Sequence, residues 1–358
     1  MQPKSRLCCR ATAVAAGMGE PRTATLQQSI RLIAPGAVCI ESASMPTPGA
    51  GEVLIRTSKT LISTGTELTL YGSNGSAGAA WAEFARFPRS MGYSNVGKIV
   101  ELGQNVDPSW MGQMVASRGP HSSWVVRPIG DLRPVPPAVS HEEATFTTLS
   151  SVVMNGLRRI HFTWGESVAV FGLGLVGQLA VRIASAAGAG QIFGMDVSSQ
   201  RLEKLPPLPW VHGVDTTVQD LRAAMGKHGA EAGVDVAIEA SGDSGLIPRE
   251  ISVLRDQGRL LILSSPREPT LFDFHDLCNR RSIQIVGAHG FSQPAVATLD
   301  CPWTASRHGD LFLDWVASGR LSTAELVTHR FPFERAAETY AWLAAHRQEA
   351  LGVILEWD

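Results

Sequence analysis

Lysine is scarce, negative and positive charge nearly cancel, and long apolar runs are missing, and each absence excludes a class of protein. The formal net charge of −2 gives no electrostatic reason to bind nucleic acid or an anionic membrane. No uninterrupted apolar run is long enough to span a bilayer. We therefore expect neither a nucleic-acid nor a membrane partner. Arginine carries most of the positive charge, since the only lysines are Lys4, Lys59, Lys98, Lys204 and Lys227.

Paired cysteines are also missing. The 5 cysteines are scattered, and none stands in a C-x-x-C pair. An odd, scattered set predicts reduced thiols and a cytoplasmic protein. The residues are Cys8, Cys9, Cys39, Cys278 and Cys301.

A chain of 358 residues is long for a single core, so two domains are expected. The first 28 residues are polar, rich in small side chains and aperiodic, which predicts a disordered N-terminal tail. From Ser29 to about Pro137, short strands separated by Gly and Pro turns predict a compact, mostly β domain. From His141 onwards, helices alternate with continuous apolar strands, as in a doubly wound α/β fold with a parallel sheet.

The most informative motif is a glycine-rich turn between a strand and a helix. Gly172 permits the tight turn, Gly174 lets the backbone approach a pyrophosphate, and Gly177 lets the helix pack closely on the strand. Asp196 ends the next strand, where it can accept hydrogen bonds from an adenosine ribose. The sequence therefore predicts a dinucleotide site formed by Gly172, Leu173, Gly174, Leu175, Val176, Gly177 and Asp196.

Several phrases, this turn among them, resemble the medium-chain dehydrogenase/reductase superfamily, and the resemblance runs from about Ser29 to the C-terminus. It implies a GroES-like catalytic domain over residues 29–147, completed by 288–358, and a Rossmann domain over 148–287. It also implies a homodimer formed through the sheet edge at Ile283–Val286. The branch with bacteriochlorophyllide dehydrogenase and secondary-metabolism oxidoreductases is the most similar. The phrases are residues 51–56, 62–67, 91–97, 172–177, 235–242 and 327–332.

The zinc ligands of that superfamily are replaced. Zinc-dependent members carry Cys where Thr64 stands, a His-Glu pair where Tyr93 and Ser94 stand, and a Cys or acid near Thr147. Neutral hydroxyls are poor zinc ligands at neutral pH, so we expect a zinc-independent enzyme. The alternative is a zinc ion held by other residues, such as Glu67 and His121.

Without a metal, reduction of a ketone needs a proton donor to the developing alkoxide. Thr66 matches the family's proton-relay hydroxyl, whereas Tyr93 and Thr64 fill vacated ligand positions. Their plainer interpretations are a turn residue for Thr66 and a packing aromatic for Tyr93. His121 and His289 are further candidates for the proton, because imidazole titrates near neutral pH.

These residues predict an NAD(H)-dependent alcohol dehydrogenase or ketoreductase acting on a small molecule. Asp196 would repel the 2′-phosphate of NADP(H), although Arg201 is close enough in sequence to offset that repulsion. Ser241 and Gly242 are expected to pass the nicotinamide. An insert at residues 71–88 suggests a lid over a sizeable, partly polar substrate such as a sugar, a cyclitol or a large cyclic ketone. The alternatives are an enoyl or quinone reductase and a non-catalytic protein that kept the fold.

Overall fold

The computed structural model describes residues 26–72, 86–266 and 268–358. The predicted N-terminal tail therefore lies mostly outside the described residues, as does the centre of the predicted lid. Residues 26–28, which the sequence assigns to that tail, belong instead to β1, which starts at Leu26. Within the described ranges, no helix is both long and apolar enough to cross a bilayer.

The N-terminal part is mostly β, as the sequence predicts. Its strands form a three-stranded sheet, in the order β2-β1-β4, and most of a seven-stranded sheet. A short helix, α1, follows the long strand β3. The elements are β1 (Leu26–Ala34), β2 (Ala37–Ser44), β3 (Glu52–Ile62), α1 (Thr66–Gly72), β4 (Arg89–Ser90), β5 (Asn95–Leu102), β6 (Met114–Ser117), β7 (Trp124–Pro128) and β8 (Arg133–Pro134).

The middle of the chain is a doubly wound α/β unit with a six-stranded sheet in the order β11-β10-β9-β12-β13-β14. All five strand pairings in this sheet are parallel. Its elements are α2 (His141–Ala144), α3 (Thr147–Arg159), β9 (Ser167–Phe171), α4 (Leu175–Ala186), β10 (Gln191–Asp196), α5 (Ser199–Leu202), β11 (Val211–Asp215), α6 (Leu221–Gly226), β12 (Val234–Glu239), α7 (Ile247–Ser252), β13 (Leu254–Ile262) and β14 (Gln284–Gly287).

The C-terminal tail returns to the first part of the chain. It contains α8 (Ala305–Ala317), β15 (Val327–Pro332), α9 (Ala336–Ala345) and β16 (Gly352–Glu356). Strand β16 pairs antiparallel with β3 and parallel with β15, which completes the seven-stranded sheet. The fold is thus the predicted combination of a mostly β, GroES-like part and a Rossmann-type parallel sheet. The exact domain boundaries stay a prediction.

The order of strands in the parallel sheet explains where a ligand can bind. From β9 the chain adds β10 and β11 on one side of the sheet, and then β12, β13 and β14 on the other side. The strand order therefore reverses between β9 and β12, which are neighbours in the sheet. Ligands of open α/β sheets bind in the crevice outside the carboxyl ends of the strands at such a switch point. Here those ends carry Phe171 and Glu239, so the glycine turn and the Ser241–Gly242 loop face the same crevice.

One large apolar core joins the six-stranded and the seven-stranded sheet through α3, α4 and α8. Its fully buried members include Val153, Leu179, Phe312 and Ile354, which come from four separate elements. Helix α9 covers a second core, with Ala336, Tyr340 and Leu343 buried as the helical spacing predicts. Ala337, next to this face, is exposed, whereas Thr339 is buried.

Candidate active site

The hydroxyl groups of Tyr93 and Thr66 come together where β3 ends and α1 begins. Ser63 occupies the turn between those elements, and the Tyr93 hydroxyl donates a hydrogen bond to the Ser63 hydroxyl. The oxygen of Tyr93 also lies 3.5 Å from Oγ1 of Thr66. Thr64, the third predicted hydroxyl, is half-buried in the same turn. The structure therefore brings the predicted hydroxyls together and adds Ser63, which is adjacent to Thr64 in sequence but was not singled out.

The Tyr93 phenol is held in its protonated form. Burial raises its pKa above the usual value, and the negative charge of Glu67 raises it further. Hydrogen bonds to Ser63 and Thr66 and the positive charge of Arg118 act in the opposite direction, but desolvation is the largest effect. The phenol therefore keeps its proton, which it donates to the Ser63 hydroxyl.

A buried carboxylate holds the turn in place. Glu67 in α1 is only 2% exposed. Its Oε1 accepts a hydrogen bond from the backbone N–H of Ser63 over 2.9 Å. Its Oε2 lies 3.1 Å from Nε2 of His121 and accepts a hydrogen bond from the Tyr340 hydroxyl. Glu67 thus fixes the position of the residue that bonds Tyr93.

Two partners of Glu67, His121 and Tyr340, come from distant parts of the chain and are completely buried. Burial and the neighbouring carboxylate raise the pKa of Tyr340 well above its usual value, so its proton stays on the phenol. Gly92 has φ +84°, and a Cβ there would lie 2.5 Å from the His121 ring. Only glycine at this position leaves room for the imidazole.

His121 therefore differs from its predicted role. The sequence places it in a loop that approaches the cleft, where it was a candidate proton donor. In the structure its imidazole is 0% exposed and Nε2 faces Glu67, while Nδ1 is buried without a hydrogen-bond partner among the described residues. This geometry makes His121 part of the support for the turn. His289 is exposed at the end of the parallel sheet, and its Nδ1 accepts the backbone N–H of Phe291 over 3.3 Å.

The donors around this turn do not suit zinc. Thr64 and Tyr93 offer neutral hydroxyls, and Thr147 uses its hydroxyl to donate to the carbonyl of Ala144 over 2.7 Å. The alternative ligands, Glu67 and His121, are buried and lie against each other. Glu67 also accepts a hydrogen bond from the Tyr340 hydroxyl. Among the described residues, no group of three or more His, Cys, Asp or Glu side chains is arranged to hold a metal ion. Catalytic zinc needs three nitrogen, sulfur or carboxylate ligands, and these residues do not supply them.

The glycine turn after β9 fits a dinucleotide. Gly172 has φ +86°, and a Cβ there would lie 2.6 Å from the Cα of Ser241, so the turn packs against the loop after β12. A Cβ on Gly177 would lie 1.8 Å from the carbonyl oxygen of Gly172, whereas one on Gly174 would meet nothing within 4 Å. Gly174 also begins α4 without a side-chain cap. Open space therefore lies in front of uncapped helix amides, which suits a pyrophosphate.

Asp196 lies beside this turn with a cation close by. One carboxylate oxygen accepts the backbone N–H of Leu173 over 2.7 Å, and the other accepts that of Ser198 over 2.9 Å. Nη1 of Arg201 is 3.7 Å from Asp196. The predicted acid therefore lies beside the glycine turn, where both of its oxygens accept backbone hydrogen bonds and Arg201 partly neutralises its negative charge.

A second buried carboxylate shapes the loop that follows β12. Oε1 of Glu239 accepts hydrogen bonds from the backbone N–H groups of Ser241 and Gly242, over 2.8 and 2.7 Å. Glu250 in α7 is also fully buried, and neither of its carboxylate oxygens has a hydrogen-bond partner among the described residues. Burial, together with the negative charges of Glu239 and Asp243, raises the pKa of Glu250 to about 9. Sequence reasoning missed Glu250, because it stands in an ordinary helical segment.

Comparisons with known proteins find that this chain is similar to dehydrogenases. Residues 176–303 match the model of the family described as zinc-binding dehydrogenase. The L-threonine 3-dehydrogenase of Coxiella burnetii is 24% identical over 365 residues, covering 91% of this chain and 97% of the relative. An alcohol dehydrogenase of Escherichia coli CFT073, solved with NADH, aligns with a TM-score of 0.76 at 18% identity, covering 92% of this chain and 99% of that one. A zinc-binding dehydrogenase from Sinorhizobium meliloti bound to NADP aligns with a TM-score of 0.75 at 18% identity, covering 93% and 99%.

Replacement by alanine should have different effects at Gly174 and Gly177. Gly177→Ala places a methyl group against the Gly172 carbonyl, so it should destabilise the protein by about 1–3 kcal/mol or more. Gly174→Ala meets no protein atom, so the melting temperature should stay unchanged while the affinity for NADH falls. Thermal unfolding and a fluorescence titration with NADH check both variants. Equal melting temperatures for the two variants would contradict the packing described here.

Glu250 predicts a pH-dependent gain in stability on neutralisation. The pKa of Glu250 is about 9 in the folded protein, above the ordinary value of 4.5. The contribution of Glu250 to the free energy of unfolding is therefore fully present below pH 4.5 and is lost as the pH rises through 9. Glu250→Gln should therefore match wild type near pH 4.5 and exceed it at pH 8. The gap in the free energy of unfolding should widen by up to about 1.4 kcal/mol per pH unit. Denaturant unfolding at several pH values measures it, and a gap independent of pH would argue against a buried, neutral Glu250.

Proposed function

Because the chain belongs to the medium-chain dehydrogenase/reductase superfamily and is a dehydrogenase of that type, we propose that it interconverts a secondary alcohol and a ketone without zinc. The observation that supports this proposal is the hydroxyl cluster of Tyr93, Ser63 and Thr66. The resemblance to the family implies a metal ligand at the position of Tyr93 and the proton-relay hydroxyl at the position of Thr66. The preferred cofactor is NAD(H), held at the glycine turn and at Asp196.

The chain's own residues divide the chemistry between two places. The nicotinamide, when bound, supplies or accepts the hydride. The amides at the start of α4 bind the phosphates, and Glu239 orders the backbone of Ser241 and Gly242 on the other side of the crevice. At the hydroxyl cluster, Thr66 or Tyr93 donates a proton to the alkoxide that develops on the substrate oxygen, and takes it back in the reverse direction. Ser63 keeps the Tyr93 hydroxyl in place.

The substrate class follows from the polar character of the turn. Hydroxyls from Thr64, Thr66 and Tyr93 suit a partly polar molecule such as a sugar, a cyclitol or a secondary metabolite with ring hydroxyls. The predicted lid over residues 71–88 falls largely outside the described residues, and it remains part of the proposal. Screening of NADH oxidation against a panel of ketones, including keto-sugars and keto-cyclitols, identifies the substrate.

The runner-up is an enoyl or quinone reductase that uses NADPH. Arg201 favours it, because a guanidinium 3.7 Å from Asp196 is placed to accept a 2′-phosphate. Asp196 favours NAD(H), because its negative charge would repel that phosphate. Its carboxylate is held beside the glycine turn by the hydrogen bond it accepts from the backbone N–H of Leu173. Activity with α,β-unsaturated carbonyls but not with ketones would select the runner-up.

We also propose a homodimer. Strand β14 lies at the edge of the six-stranded sheet, as the sequence predicts for the Ile283–Val286 region. Apolar side chains on and beside it are exposed, including Ile285 at 43% and Phe291 at 82%. Pairing of this edge with a second copy would cover both. The protein is proposed to be cytoplasmic, consistent with thiols at Cys278 and Cys301 that form no disulfide.

The cofactor preference gives a paired prediction. Wild type should bind NADH more tightly than NADPH, and Asp196→Asn should narrow that preference because it removes the repulsive charge while retaining an acceptor for the Leu173 amide. Arg201→Gln should widen it, because it removes the cation beside the ribose site. Calorimetric titration of both cofactors measures these ratios. Tighter binding of NADPH by wild type would defeat the NAD(H) assignment.

The proton donors give a second prediction. Thr66→Val and Tyr93→Phe remove one hydroxyl each and keep the shape, so either should lower kcat by about 10²-fold if its hydroxyl stabilises the alkoxide. Thr66 is ranked first. The affinity for NADH, measured in the same variants, should not change, because neither residue lies in the glycine turn. Near-normal kcat in both variants would move the donor to His289 or to bound water.

A further inference from the structure

Arg118 links the hydroxyl cluster to the loop that follows the parallel sheet. It comes directly after β6, and its positive charge lowers the pKa of Tyr93. Its Nη2 lies 3.6 Å from the position that a Cβ on Gly290 would take. The guanidinium therefore lies on the side of the site where the hydroxyls of the β-rich part face the end of β14. The side chain is exposed, so it is accessible to a ligand entering there.

No carboxylate in the described part of the chain pairs with Arg118. Glu67 is the other charged group that acts on Tyr93, but its oxygens are already occupied by Ser63, His121 and Tyr340. Many other arginines do form ion pairs with a carboxylate, and examples are Arg133–Asp310, Arg182–Glu325, Arg255–Asp235, Arg259–Glu166 and Arg330–Glu142. Arg118 thus presents an uncompensated charge beside the residues that handle the proton.

The cofactor's phosphates are too far away to be the partner of Arg118. They are expected at the turn after β9, whereas Gly290 follows β14, and β12 and β13 stand between β9 and β14 in the sheet. At the ordinary separation of neighbouring strands, three steps correspond to roughly 14 Å. The anion that Arg118 suits must therefore arrive with the other reactant.

We propose that Arg118 binds an anionic group of the substrate, so that the enzyme acts on a secondary alcohol or ketone that carries a carboxylate or a phosphate. The planar guanidinium binds either group through two parallel hydrogen bonds, which fixes the orientation of the molecule as well as its affinity. This substrate class rests on the proposed function, because it assigns the reacting carbon of the same molecule to the hydroxyl cluster. Arg118 acts here as a specificity-determining residue and not as a proton donor.

The first experiment measures anion binding without turnover. The protein saturated with NADH is titrated calorimetrically with inorganic phosphate and, separately, with malonate, which distinguishes a phosphate site from a carboxylate site. Wild type should bind at least one of them, and Arg118→Gln should weaken that binding by about 10-fold or more. Arg118→Lys should retain part of the affinity. Arg56→Gln is the matched control, because Arg56 is an exposed arginine in the middle of β3 whose loss changes the net charge equally.

Three results of this titration would overturn the proposal. The first is that neither anion binds to wild type. The second is that Arg118→Gln and Arg56→Gln weaken binding equally, which would indicate a general charge effect. The third is that Arg118→Gln weakens the binding of NADH itself, which would assign Arg118 to the cofactor.

The second experiment compares turnover of matched neutral and anionic alcohols, such as a polyol, its phosphate ester and the corresponding aldonic acid. Arg118→Gln should raise KM about 10-fold or more for the anionic substrate and leave KM for the neutral one unchanged. Turnover of neutral alcohols alone, unaffected by Arg118→Gln, would overturn the anionic substrate class and leave the proposed dehydrogenase function intact. Anion binding that depends on Arg118, without turnover of any alcohol in the panel, would support the anion site and count against the proposed function.

Discussion

The buried carboxylate of Glu67 is the interaction on which the candidate active site depends. It joins the backbone of Ser63, the imidazole of His121 and the phenol of Tyr340, which come from three separate parts of the chain. Leaving a buried carboxylate without its partners costs several kcal/mol, so the three segments are held together. Because Ser63 in turn accepts the Tyr93 hydroxyl, the position of the proposed proton donor follows from this buried contact.

The carboxylate at Glu239 has a corresponding role in the parallel sheet. It orders the Ser241–Gly242 loop, against which the Gly172 turn packs so closely that a side chain would not fit. The turn before α1 and the loop after β12 are thus each held by a buried acid. In the proposed function, Glu67 supports the hydroxyls that would meet the substrate, and Glu239 supports the loop that would meet the nicotinamide.

The sequence predicted the parallel sheet, the glycine turn and the mostly β first part well, because each depends on local patterns. Continuous apolar strands and the spacing from Gly172 to Asp196 are properties of short segments. The support of the site was harder to predict, because it depends on contacts between distant residues. Tyr340 lies on an apolar helix face, yet its hydroxyl reaches Glu67. His121 was expected at the cleft, yet it is buried. All 3 tyrosines of the chain meet here, since Tyr71 stacks on Tyr340 with ring centres 6.0 Å apart.

The central claim is that hydroxyl groups replace a metal ion as the source of the proton. Elemental analysis of the purified enzyme, with turnover measured before and after treatment with a chelator, tests it most directly. We expect far less than one zinc per chain and full activity after chelation, because Thr64, Tyr93 and Thr147 are poor zinc ligands. About one zinc per chain, removed by the chelator together with the activity, would contradict it.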